Sequence, residues 1–320
     1  MMLLNRATTR ASRPAPPGSR LGLAGQHSLQ RRQRGWAAVF LTPAMLVIIA
    51  FVVVPIVLTF WISLHEWSMF TPFAQMRWVG LGNYTGLWAD PEFRGVLRNT
   101  AVYTLLAVGI TVPLALLLGM LLFFPRARGR ALVRTVLFSA YVIPTVAVAI
   151  VWGILYAPGY GPFDAIAGKL GIGPLNWLSS PNLALLALAV FNIWQMLGYY
   201  TVLVVAGLTQ VPTEVYEAAR IDGAGPWRQT VSITVPLLSR TLTFILLVGL
   251  INAVQVFDPV YVLTQGGPAN ATNVLSFDIQ RAAFQYGLAG QASAMAFTLL
   301  LVLVFLVATV LGARRWRAWA

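Results

Sequence analysis

The stretch TQVPTEVYEAARIDGAGPWRQTVSITVPLL, from Thr209 to Leu238, decides how this chain is read. Pro212-Thr213 reads as a helix start, with Thr213 placed to cap exposed N–H groups and Glu214 at the favourable end of the helix dipole. Gly223 is a natural terminator for that helix. At about 100° per residue, Val215, Tyr216, Ala219 and Gly223 fall on one flat, small-residue face, and Glu214, Glu217 and Ile221 project from the other side. Pro226 suits the first turn of a second short helix that ends before Pro236. Two helices this short bury no core of their own. They form either an ordinary structured connector or an element shaped for another protein to grip, as an amphipathic helix lies in a groove.

On either side of this stretch the chain is apolar. Its 320 residues are 58% hydrophobic and only 10% charged, with a mean hydropathy of +0.75. Soluble domains carry about 25% charged residues because their surfaces face water. A chain this poor in charge must present apolar surface to something, and lipid is the natural candidate. Apolar runs at 36–64, 99–124, 132–157, 183–209, 241–263 and 292–312 are each long enough to cross a hydrocarbon core of about 30 Å at about 1.5 Å per residue. The expected fold is therefore an all-α membrane protein with six transmembrane helices.

The net charge of +13 would ordinarily suggest nucleic acid or an anionic surface. Its distribution gives a simpler explanation. With a cytoplasmic N-terminus, the basic residues collect in the tail before the first run, at Arg126, Arg128, Arg130 and Arg134, at Arg220, Arg228 and Arg240, and at Arg314, Arg315 and Arg317. The opposite side keeps only Arg77, Arg94, Arg98, Lys169 and Arg281. This is the positive-inside pattern, and it predicts both termini in the cytoplasm and no nucleic-acid partner. Residues 1–35, with seven Arg among Pro, Ser and Gly, read as a disordered basic tail. A mitochondrial presequence has a similar composition and stands as the other reading. Residues 36–312 then form the six-span transmembrane domain, with a cytoplasmic loop at 210–240, and 313–320 a basic cytoplasmic C-terminus.

A search for catalytic chemistry finds little. The nearest approach to a phosphate-cradling loop, Gly161 to Lys169, has the wrong spacing, and Leu170 replaces the hydroxyl residue. There are no cysteines. The histidines His27 and His65 have no partners at metal-ligand spacing, so neither a metal nor another cofactor is called for. The outer-side acids Glu66, Asp90, Glu92, Asp164 and Asp278 form no evident acid–base constellation. Within the runs, Asn192, Gln195 and Tyr199 share one helical face, and Asn252, Gln255 and Asp258 follow a three-residue step. Polar side chains inside a bilayer face the bundle or a wet cavity. Two readings stand for these six: hydrogen-bonding glue between helices, or the lining of a path for a polar, uncharged solute. Pro55, Pro113, Pro144 and Pro259 likewise read either as simple kinks or as irregularities along such a path. Of the outer segments, 65–98 reads as an aromatic interfacial belt with short helices, 158–182 as an irregular loop and 264–291 as a segment opening on the turn Gly266-Gly267-Pro268.

Glu217-Ala218-Ala219, followed by Asp222-Gly223-Ala224 and then Pro236, resembles the EAA signature of binding-protein-dependent ABC importer permeases. Asp258 to Thr272 (DPVYVLTQGGPANAT) and Ala283 to Ala294 (AFQYGLAGQASA) look like the sugar-type branch, in the half of the permease pair that includes the maltose and glycerol-3-phosphate systems. The resemblance covers nearly the whole chain beyond the tail. It implies a type I importer permease fold in a bacterial inner membrane, a second permease subunit, two ATP-binding-cassette ATPases and an extracytoplasmic solute-binding protein. Hydrolysis would belong to the ATPases. By the same resemblance Glu217 would contact the ATPase surface, Ala218 and Ala219 would permit close approach, Gly223 would make the turn, and Asp222 matches the motif. Trp227 and Val231 would hold this helix against the membrane domain. The implied solute is a sugar or polyol, with a phosphorylated glycerol or an oligosaccharide equally admitted. The chain lacks the extra N-terminal helices and large outer domain of the maltose example, which places it nearer the six-span members.

Overall fold

The computed structural model describes residues 39–123 and 129–317. The expected tail at 1–35, with His27, and Arg126, Arg128 and the last three residues lie outside the described residues. Five described helices are long and apolar enough to cross a membrane: Val39–Ser63, Pro91–Phe123, Ala184–Leu208, Ser239–Leu263 and Ala289–Ala313, here the first, second, fourth, fifth and sixth spans. The third apolar run differs from expectation. It is a pair of helices, Arg130–Val142 and Thr145–Leu155, bent by 103°. Pro144 supplies the cause: it has no N–H to donate and pushes the preceding residue out of the helical region. Ile143 accordingly sits at φ −73°, ψ 137°. Counting the pair as one span gives six.

Proline does not act alike everywhere. The second span runs through Pro113 without a break. The first carries a π turn, Ile49–Val53, just before Pro55. The fifth consists of helices Ser239–Val254 and Asp258–Leu263, separated at residues 255–257, with Pro259 in the first turn of the second piece, where its missing N–H costs nothing.

Of the described residues, 39–58 belong to one compact unit and those from Thr59 onward to another. The described residues of the first unit, 39–58, are all exposed. In the second unit the fourth span is the most buried. It packs against the second span and the first arm of the bent pair. Close approach requires small residues there, as helices in lipid pack by shape rather than by hydrophobic drive. A Cβ at Gly198 would collide with the backbone of Leu137, and one at Gly119 with the side chain of Val204. Tyr103, Ala107, Leu188, Val260 and Phe277 form one buried cluster between these spans and the outer loop, and Ala115, Val204, Leu208, Leu238 and Ile245 form a second nearer the Thr209–Leu238 stretch.

The outer segments are more ordered than composition suggests. In 65–98 the pairs His65–Glu66 and Arg77–Trp78 form a two-residue antiparallel ladder, followed by the helix Gly82–Ala89. The loop at 158–182 contains a helix, Pro162–Lys169, where an irregular loop was expected. Asp164 stabilises it by accepting from the backbone N–H of Gly159 and Leu175, each at 2.7 Å. Beyond the fifth span, the helix Leu275–Gln280 continues into a π turn, Arg281–Gln285. Here Arg281 donates to Glu92 at 2.7 Å and to Asp278 at 3.0 Å. Asn99 donates to the carbonyls of Asn270 and Asn273, and Asn273 to Asp278. Burial works to lower the Arg281 pKa, but the Glu92 hydrogen bond and the Asp278 charge outweigh it and hold the guanidinium above its usual range. The Pro91 end of the second span is thereby fastened to the loop between the fifth and sixth spans.

Candidate functional site

The fourth span ends at Leu208, and the chain turns through residues 209–212 into the helix Thr213–Ile221. Thr213 is the first helical residue rather than the cap, and no side chain caps this end; Glu214 lies in the first turn as the dipole favours. At the other end Asp222 is the C-cap, and Gly223 follows at φ +75°. Ala224 N–H donates to the Ala219 carbonyl at 2.8 Å, and Gly223 N–H to that of Arg220 at 3.1 Å. This paired closure uses a left-handed residue that glycine supplies without strain.

The two faces of the helix differ sharply. Tyr216 and Ala219 are buried, and Glu214, Glu217, Ala218, Arg220, Ile221 and Asp222 are exposed, Ile221 at 87%. Ala218 therefore presents a small surface outward, whereas Ala219 is covered by the chain itself. Among the described residues Glu214, Glu217 and Asp222 take part in no ion pair. Their charge is free for something outside.

The second part of the stretch departs from expectation. Pro226–Gln229 is a single helical turn, but it continues through a π turn, Thr230–Thr234, into Val235–Leu237, and Pro236 does not end it. The wide turn releases the carbonyl geometry that a proline disrupts in a regular helix. The expectation that Trp227 and Val231 hold the loop to the membrane domain also fails within this chain. Trp227 is 80% exposed and Val231 is exposed as well. The holding is done by Thr234, whose hydroxyl shares a 3.2 Å hydrogen bond with that of Tyr216, and by Gln229, whose Nε2 donates to the Ala224 carbonyl at 2.7 Å. A π turn adds a residue to the helical count, so a plain 3.6-residue register carried back from Thr234 puts Trp227 on the wrong face.

The polar residues of the spans separate into two kinds. Gln195 is buried and donates to the Thr145 hydroxyl at 3.0 Å, tying the fourth span to the corner of the bent pair. Asn192 is half-buried. Tyr199 is half-buried and stacks on Tyr141, with ring centroids 4.4 Å apart and planes 9° apart. Asn252 is exposed and lies beside Tyr200. Gln255 is exposed at the end of the Ser239–Val254 helix, and Asp258 is half-buried as the first residue of the next. The break between those helices means that Asn252, Gln255 and Asp258 do not follow one continuous face. Tyr141, Tyr199, Tyr200 and Asn252 do come together, from three different helices. His65 lies against the chain itself, its Nδ1 2.8 Å from the Trp61 carbonyl.

This arrangement defines a multi-pass membrane subunit: an apolar bundle with one amphipathic loop helix, fixed on one face and bare on the other. The chain belongs to the family described as binding-protein-dependent transport system inner membrane components, which matches residues 82–317. It is 34% identical over 276 residues to the trehalose/maltose transport system permease protein MalF of Thermococcus litoralis, covering 85% of this chain and 92% of that one. It is 31% identical to the diacetylchitobiose uptake system permease protein NgcF of Streptomyces coelicolor, over 94% of this chain and 90% of the relative. The lactose transport system permease protein LacF of Rhizobium radiobacter is 31% identical over 79% of this chain and 84% of its own. A solved bacterial ABC transporter that imports the acidic polysaccharide alginate has the same fold, with a TM-score of 0.76 at 21% identity over 90% of this chain and 98% of its own. The fold is that of a type I importer permease.

Proposed function

We propose that this chain is a permease subunit of an ATP-driven importer for a sugar or a related polyol, and that Thr213–Ile221 is where it receives energy. The observation that carries the second part is the division of that helix into a face fixed by Tyr216 and Ala219 and a bare face of unpaired acids beside exposed Ile221. The sugar reading rests on the relatives, whose names specify trehalose and maltose, lactose and diacetylchitobiose. In this reading a second permease completes the pathway, two ATPase subunits grip the loop helices, and a solute-binding protein delivers from outside. The loop side is cytoplasmic, as the basic residues Arg220, Arg228 and Arg240 predict.

Mechanism follows from these roles. ATP binding closes the partner ATPases and moves the loop helices together, and the bundle changes from one accessible side to the other. Such a switch needs ligands that bind the two states differently, here ATP below and the loaded binding protein above. No covalent step falls to this chain. Glu217 meets the ATPase surface with Ala218, Ile221 and Trp227 beside it, while Asp222 and Gly223 set the exit of the helix. Along the pathway the exposed amides of Asn252 and Gln255 suit solute hydroxyls, and the Tyr141–Tyr199 stack supplies an aromatic face; Gln195 holds the corner at Thr145. Glu217→Lys or Gly223→Pro should abolish ATP-coupled uptake in proteoliposomes while leaving the protein at normal abundance in the membrane. Wild-type uptake by both variants, or uptake in ATP-depleted vesicles bearing a proton gradient, would sink the proposal.

A further inference from the structure

Beneath the loop helix lies a cavity of about 270 Å³, between the last turns of the second span and the Pro226–Thr234 segment. Its walls include Leu117, Met120 and Leu121 of the second span, Leu208 at the end of the fourth, and Tyr216 of the loop helix. The hydroxyls and amide on the remaining wall are already engaged. Thr230 donates to the Pro226 carbonyl at 3.0 Å, Thr234 to that of Gln229 at 3.2 Å, and Gln229 to that of Ala224 at 2.7 Å. A buried water needs 2–4 polar partners, and apolar cavities of about 150 Å³ stay dry and admit hydrocarbon-like ligands. This space is therefore suited to an apolar occupant.

The mouth indicates which one. Leu117 and Leu121 are one helical turn apart, and although both line the cavity they are 50% and 58% exposed on the outside of the span. They form a doorway between the cavity and whatever bathes the second span. The outward stripe they continue includes Leu105 and Leu114, also exposed and apolar. We propose that the cavity is a lipid site, taking the acyl chain of a bilayer phospholipid that enters past Leu117 and Leu121. Met120, whose Sδ lies 3.8 Å from the Thr230 hydroxyl, is the adaptable side chain that adjusts to the occupant. Because Tyr216 is one wall, the occupant touches the loop helix directly, and the bilayer acquires a handle on its position. The proposal rests on the membrane-spanning fold and is independent of the solute and of the ATPase assignment.

The test uses the chain, with whatever subunits copurify, in phosphatidylcholine nanodiscs containing a phosphatidylcholine with a diazirine midway along one acyl chain. After illumination, labelled residues are located by mass spectrometry. Label is expected on Tyr216, Thr230 or Thr234, as well as on the outward reference residues Leu105 and Phe305. Met120→Trp fills the cavity and should lose the loop label while keeping the reference label, and Met120→Ala should raise the loop label. The proposal is overturned if the loop stays unlabelled while the references label, if its label is indifferent to both substitutions, or if cross-links join the loop residues to polypeptide in place of lipid.

Discussion

The loop after the fifth span and the loop before it are built on opposite principles. Beyond the fifth span, Asn270, Asn273, Asp278 and Arg281 bond to one another and to Glu92 and Asn99 of the second span, leaving Asn273 Oδ1 and Arg281 Nε buried without a hydrogen bond. In Thr213–Ile221 the acids face outward with no partner among the described residues, and the only fixed face is the Tyr216 side. One loop is tied to the bundle by its own side chains; the other leaves its acids exposed, as the proposed docking of an ATPase requires. Where a chain leaves charge unpaired and large apolar groups exposed beside it, the missing partner belongs to function rather than to folding.

Substitutions can break this contrast in a graded way. Arg281→Ala should have the largest effect, about 3 kcal/mol of stability, because it leaves Asp278 a buried charge with no cation, held only by the Asn273 hydrogen bond. It should appear as a lower melting temperature in detergent, and unchanged melting with lost transport would mean the outer loop is not the one tied to the bundle. Trp227→Ala should leave melting unchanged yet weaken binding of the ATPase subunits by about 2 kcal/mol, the cost of losing an interface anchor. Equal pull-down of ATPase by wild type and variant would remove Trp227 from the interface. Tyr216→Phe, which keeps the ring and loses the bond to Thr234, should cost about 1 kcal/mol of stability. At the small end, Glu66→Gln removes a pair with Arg77 that is largely exposed on both sides, and should change the melting temperature within error.

Much of this architecture is legible in the residues. Apolar length alone located five of the six spans to within a turn or two of their ends, apart from the second, which begins at Pro91 because amphipathic residues extend it outward. Gly223 is legible as a stop because few other residues accept its backbone conformation. The rest depends on context that a linear reading lacks. Pro113 and Pro144 look alike in sequence, yet one is carried through a helix and the other turns the chain by 103°. What separates them is tertiary: the corner at Pro144 is braced by the bond from Gln195 to Thr145 and by the bare backbone of Gly198 beneath Leu137. Periodicity also gives a face but not its neighbour. Ala218 and Ala219 are adjacent and identical, and only the fold shows that the first looks out and the second in. The same limit applies to Gln195 and Asn252, one a buried brace and the other exposed beside Tyr200, which share a side-chain chemistry and differ in what covers them.

The two ends of the loop helix have a mechanical consequence. Pro212 precedes its first residue and Gly223 follows its C-cap, so the helix cannot lengthen in either direction, and the doubled closure at Ala219 and Arg220 keeps its last turn from unravelling. Nine residues held in this way make a rod of about 13 Å. A push on its outer side is not absorbed by winding or fraying; it is delivered through Tyr216 and Thr234 to the foot of the fifth span. The nine-residue element is a strut, and in the proposed coupling role its stiffness would set how much of an ATPase's stroke reaches the membrane.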